Sequence, residues 1–132
     1  MSDADDIAWI MNAIDAPANG LTLCSGSLGA NPANDVPAIA KRFADRIHFA
    51  HLRNVAKDPD GSFEEAAHLD GDTDMVALVQ VLLDEGCRRR DAGRSDHAIP
   101  FRPDHGHHIL SDLDRTLIPG YPLIGRLRGL AE

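Results

Sequence analysis

The sequence predicts an α/β fold of three parallel strands with crossover helices, most simply a segment of a (β/α)8 barrel. Three observations carry this. Helix-like and strand-like patterns alternate along the chain, which implies parallel strands joined by helical crossovers. The strand-like runs are short and mostly apolar, as expected where both faces of a sheet are covered. Three strands alone make a thin sheet with two open edges, so the 132 residues read as one segment of a single larger domain.

Each element has its own justification. Residues 3–15 place Ile7, Ile10, Met11 and Ile14 at helical spacing. Asp3, Asp5 and Asp6 sit near the start and suit the positive end of the helix dipole. Pro17 to Gly20 breaks the pattern. Leu21-Thr22-Leu23-Cys24 is a β-prone run, and Ser25 to Pro32 reads as a loop because of its glycines, Asn31 and Pro32. A second helix is expected after Asn34 or Asp35, with Pro37 in its first turn and Val36, Ile39, Ala40 and Phe43 on its apolar face. Residues 47–52 form the second strand. Residues 53–71 are polar, carry Pro59 and Gly61, and read as a long loop of the kind that is more often functional or disordered than idle. Met75, Leu78, Val79, Leu82 and Leu83 then share one helical stripe. Asp70, Asp72 and Asp74 precede that helix, Arg88 to Arg90 close it, and Gly93 stops it. Residues 98–101 are the third strand, and residues 120–132 a last helix.

Composition excludes several function classes. Hydrophobic content of 43% and charged content of 26% fit a globular chain rather than a disordered one. A net charge of −8 repels phosphate, so nucleic acid and anionic membrane are poor partners. No apolar run is long enough to span a bilayer, and the acidic N-terminus is unlike a signal peptide. Cys24 and Cys87 do not make a disulfide framework, so a cytoplasmic compartment is expected.

The chemistry gathers at strand ends. In parallel α/β folds, ligands sit at the carboxyl ends of strands. Cys24, His51 and Asp104 each hold that position, and thiolate, imidazole and carboxylate together suit a divalent transition metal. Taken singly, Cys24 reads equally as a small buried hydrophobe, His51 as a satisfied core histidine and Asp104 as a turn residue or cap. Three coincident strand ends weigh towards the site. The run Arg102-Pro103-Asp104-His105-Gly106-His107-His108 adds three histidines, of which His105, beside Asp104, is the first choice for proton transfer. Arg53 and Arg102 offer guanidinium forks for a carboxylate, with a surface salt bridge as the alternative. Tyr121 is a further proton donor or a structural tyrosine. His68 is a lid residue or a solvated loop histidine.

Several stretches in order resemble one family. Leu21-Thr22-Leu23-Cys24-Ser25-Gly26-Ser27-Leu28-Gly29, Ile47-His48-Phe49-Ala50-His51-Leu52-Arg53 and Glu65-Ala66-Ala67-His68-Leu69-Asp70-Gly71-Asp72 are similar to mannonate dehydratase. So are Arg102-Pro103-Asp104-His105-Gly106-His107, Gly120-Tyr121 and Ile124-Gly125-Arg126-Leu127. The resemblance runs from about Pro17 to the last residue and covers only the C-terminal part of that family, a (β/α)8 TIM barrel whose N-terminal strands are absent here. It implies dehydration of D-mannonate to 2-dehydro-3-deoxy-D-gluconate in hexuronate breakdown, with Mn2+ or Fe2+ as Lewis acid. It implies Cys24, His51 and Asp104 as metal ligands, and His105 and Tyr121 as catalytic or substrate-binding groups. Arg53, His68 and Arg102 are the expected substrate-binding residues. A fourth ligand, a histidine on an earlier strand, has no counterpart, so the isolated chain is expected to be inactive. A homo-oligomer or a complementing N-terminal segment is the expected partner. Two alternatives stand beside this: a metal-dependent sugar isomerase on a similar barrel, and a non-catalytic remnant.

Overall fold

A computed structural model describes residues 2–103. The elements run α1 (Ala4–Ala13), β1 (Leu21–Cys24), α2 (Ser25–Gly29), α3 (Val36–Arg42) and a 3-10 turn at Ala44–Arg46. They continue through β2 (Ile47–Leu52), β3 (Asn54–Lys57), β4 (Phe63–Ala66), α4 (Met75–Asp91) and β5 (Phe101–Pro103). The order in the main sheet is β1-β2-β5, and both pairings are parallel. The expectation of an α/β fold with three parallel strands is met in these residues. No described helix is long and apolar enough to cross a membrane.

Local chemistry sets the helix starts. Asp3 caps α1 by accepting from the backbone N–H of Asp5 and Asp6 at 3.0 and 2.9 Å. Asp35 and Asp74 cap α3 and α4 in the same way, each accepting from the N–H three residues on. Gly93, with φ at +72°, lets the chain turn away after α4.

Packing explains which face of the sheet the helices cover. Leu21, Leu23, Ile47 and Ala50 are buried and share one core with Ile39, Ala40, Leu78 and Leu82. Ile7 and Met11 join that core from α1. Alternation then turns Thr22 and Cys24, and their register partners Phe49 and His51, to the other side of the sheet. There Thr22 is exposed, and Cys24, Phe49 and His51 are half-buried.

A buried ionic group fastens α4 to the rest. Arg89 is 1% exposed and donates to Glu85 Oε1 at 2.7 Å and to the carbonyls of Ala44, Ile47 and Asp96. Glu85 also accepts two bonds from Arg88. The Arg88 guanidinium, with Arg89 beside it, holds the Glu85 carboxyl below its ordinary value.

Three expectations are corrected. Ser25–Gly29 is a short helix rather than a loop. Its glycines answer to close packing: a Cβ on Gly26 would stand 2.5 Å from Arg53 Cδ, and one on Gly29 2.7 Å from Thr73 Oγ1. Residues 53–71 contain an antiparallel hairpin, β3 paired with β4, turning at Gly61 where φ is +91°. Its mixed polar surface hid the alternation that marks a strand. The third strand lies at Phe101–Pro103, later than residues 98–101. Pro100 has no N–H to give, but its carbonyl accepts from Ala50 N at 3.0 Å, so the ladder begins there and runs on. The helix expected at residues 120–132 lies outside the described residues.

Candidate metal centre at the strand ends

The register of the sheet places Cys24 opposite His51 and His51 opposite Arg102. The register shifts once, between Leu21 and Thr22, and runs in step from Thr22 and Phe49 onward, so the three side chains form one row across the sheet at its carboxyl edge. All three are half-buried. The covered core thus ends in a polar row, and the reason is topological. Helical crossovers return each strand in the same direction, so all three strands end on one edge.

Two serines of α2 organise this row. Ser25 is fully buried. Its hydroxyl accepts from Arg53 N at 2.8 Å and lies 2.6 Å from Arg53 O and 3.1 Å from His51 O. It thereby ties the end of β1 to the end of β2 where the sheet ladder stops. Ser27 Oγ donates to Cys24 Sγ at 3.1 Å. This contact fixes where the Cys24 side chain lies at the strand end.

On the other side of His51, Arg102 Nε donates to His51 Nε2 at 2.9 Å. Arg53 is turned to Glu65 on β4, with Nε donating to both carboxylate oxygens at 2.8 and 2.9 Å and Nη2 also bonded to Oε1. This bidentate pair is the salt-bridge alternative that the sequence left open for Arg53. His68 Nε2 lies 2.8 Å from the carbonyl of Leu52, one residue beyond His51. Asn54 holds the segment that carries His68. It is 1% exposed, donates to His68 O and Thr73 O, and accepts from the N–H of Val55 and Thr73. All its polar capacity is used, as burial requires.

The structure therefore brings together Cys24, His51 and Arg102, with Arg53 and His68 close in the fold. Asp104, His105 and Tyr121 lie outside the described residues. Among the described residues no three of His, Cys, Asp or Glu gather as a metal group. Cys24 and His51 are the two donors present, and a soft sulfur beside an imidazole nitrogen fits a divalent transition metal. Ser25, Ser27, Asn54 and Glu65 escaped the sequence reading. The spacing of Ser27 three residues after Cys24 carries a signal only if the segment is helical. Glu65 carries one only if β3 and β4 pair.

The family model described as D-mannonate dehydratase (UxuA) matches residues 1–132. The chain is similar to the mannonate dehydratase of Rhizobium meliloti (strain 1021), 59% identical over 135 residues, covering 100% of this chain and 34% of the relative. It is 58% identical to mannonate dehydratase 1 of Agrobacterium fabrum, with the same coverage. The crystal structure of mannonate dehydratase from Streptococcus suis serotype2 superposes with a TM-score of 0.81 at 36% identity, covering 98% of this chain and 35% of that one. The chain thus spans about a third of the length of the curated relatives it matches.

Proposed function

The chain belongs to the D-mannonate dehydratase family, and from that premise we propose that it supplies the metal-binding wall of a mannonate dehydratase active site. In this reading it is the C-terminal part of a (β/α)8 barrel. The observation that carries the reading is the register pairing of Cys24 with His51 at the ends of adjacent parallel strands. Cys24 Sγ and His51 Nε2 would hold Mn2+ or Fe2+, with Asp104 as the third donor from this chain. When bound, the metal supplies Lewis-acid stabilisation of the negative charge that develops on the substrate.

The chain's own residues account for the rest of the chemistry. Dehydration of D-mannonate removes the proton α to the carboxylate and expels the hydroxyl on the neighbouring carbon. The first step needs a base and the second an acid. His105 and Tyr121 are assigned these two tasks as a pair. Arg102 lies in the same row as both ligands and is the cation placed to take the substrate carboxylate. Arg53, held by Glu65, and His68 are assigned to substrate binding on the same wall.

The test is a chimera in which this chain replaces the matching third of the Rhizobium meliloti relative. The expected product from D-mannonate is 2-dehydro-3-deoxy-D-gluconate, and Cys24→Ser or His51→Gln lowers turnover at least about a hundredfold. A product isomeric with the substrate would overturn the reading in favour of a sugar isomerase. The 132-residue chain alone is expected to give no turnover.

A further inference from the structure

Arg53 is held along its whole length. Ser25 Oγ accepts from its backbone N–H at 2.8 Å and lies 2.6 Å from its carbonyl, which fixes the root of the side chain. Gly26 packs against the middle: a Cβ there would stand 2.6 Å from Arg53 Cγ and 2.5 Å from Cδ. Glu65, on β4, takes the far end, accepting from Nε at 2.8 and 2.9 Å and from Nη2. The Phe63 ring lies 6.0 Å from Cζ. A guanidinium is planar and rigid, so a carboxylate that takes its Nε side sets the heading of the entire fork. Arg53 and Glu65 each interact further as well, and that heading requires only that this pair be made.

We infer that Glu65 and Gly26 are positioning residues that aim Arg53 at the sugar acid. The inference rests on the proposed function, which gives Arg53 to the substrate. Arg53 follows His51 by two residues and is tied through Ser25 to the residue after Cys24, so its fork is anchored at the strand-end row. D-mannonate offers carboxylate and hydroxyl oxygens, all of which can accept from such a fork. A free arginine side chain would lose rotamer freedom on gripping them, whereas Arg53 has already lost it on folding. The two residues act differently. Glu65 holds the head of the side chain, and Gly26 leaves room for its stem. A side chain at position 26 cannot be met by a cheap shift of Arg53, because Ser25 fixes one end and Glu65 the other.

The experiment is a double-mutant cycle in the chimera described above. Glu65→Gln keeps the size but replaces one acceptor oxygen with a donor, so it cannot receive both sides of the fork. E65Q and G26A are each expected to lower kcat/KM for D-mannonate about tenfold, mainly through KM. Arg53→Gln should lower it at least as far. On the R53Q background, E65Q and G26A should add almost nothing, because the group they position is gone. Losses that add in full in the double variants, or an unchanged kcat/KM in E65Q, overturn the inference. So does a lower melting temperature in E65Q with KM unchanged, which would make Glu65 structural only. A second measurement needs no turnover. Proton–nitrogen correlation on the 132-residue chain should show an Arg53 Nε–H protected from exchange with water, and E65Q should remove that protection. An Nε–H that exchanges freely in the parent overturns the positioning. A chimera that makes no 2-dehydro-3-deoxy-D-gluconate overturns the proposed function, and with it the substrate that Arg53 is aimed at, even where the Nε–H is protected.

Discussion

Two arginines, Arg89 and Arg102, divide this molecule into a closed side and a working side. Arg89 is almost fully buried and spends its N–H groups on Glu85 and on three backbone carbonyls from two other segments. Those partners are fixed by the fold, so Arg89 fastens α4 to the strand that starts at Ile47. Arg102 is half-buried and donates to a side chain that has its own chemistry, His51 Nε2. The same residue type thus does structural work where its partners are carbonyls under a helix. At the strand end it meets a half-buried side chain, His51, on the neighbouring strand. Burial and partner type, not residue identity, separate the two roles.

Breaking the closed side should cost most. Arg89→Ala leaves Glu85 and the carbonyls of Ala44 and Ile47 buried with a lost partner, and is expected to destabilise the chain by about 3–5 kcal/mol in denaturant unfolding. Ser25→Ala, at the seam between the two sides, removes the hydroxyl that joins β1 to β2. It should cost about 1–3 kcal/mol. It should also weaken metal binding, since it frees His51 to move relative to Cys24. Ser27→Ala acts on the working side alone. It removes the hydrogen bond to Cys24 Sγ and is expected to weaken Mn2+ affinity about tenfold with little change in unfolding.

The smallest effect is a pH dependence on the closed side. The Glu85 carboxyl is held below its ordinary value of 4.5, first by the hydrogen bond from Arg88 and then by Arg89. A group whose pKa is lowered on folding adds stability that is complete above its unfolded value. That contribution should be lost as pH falls from about 4.5 through the lowered value. Glu85→Gln should flatten this part of the stability profile measured by thermal unfolding. An unchanged acid limb in E85Q would remove Glu85 from the account.

The closed side was the more legible of the two in the sequence. The stripe Met75, Leu78, Val79, Leu82 and Leu83 follows helical period, so α4 emerges from spacing alone, and Met75, Leu78 and Leu82 are buried while Leu83 is exposed. Cys24 and His51 were legible as strand ends, because apolar runs stop at them. Their pairing was not, since register depends on where β1 and β2 lie in space. The hairpin of β3 and β4 was read as a loop because residues 53–71 are mostly polar and carry Pro59 and Gly61. Arg89 was read only as one of three basic residues complementing a helix dipole. Its burial depends on carbonyls contributed by residues 44, 47 and 96, which no local pattern announces.

The central claim is that Cys24 and His51 bind one metal together, and Co2+ titration of the chain tests it most directly. The account predicts a thiolate-to-cobalt absorption band in the near ultraviolet that Cys24→Ser abolishes, His51→Gln weakens and Cys87→Ser leaves unchanged. A band that survives Cys24→Ser, or Co2+ binding without any sulfur band, would contradict it.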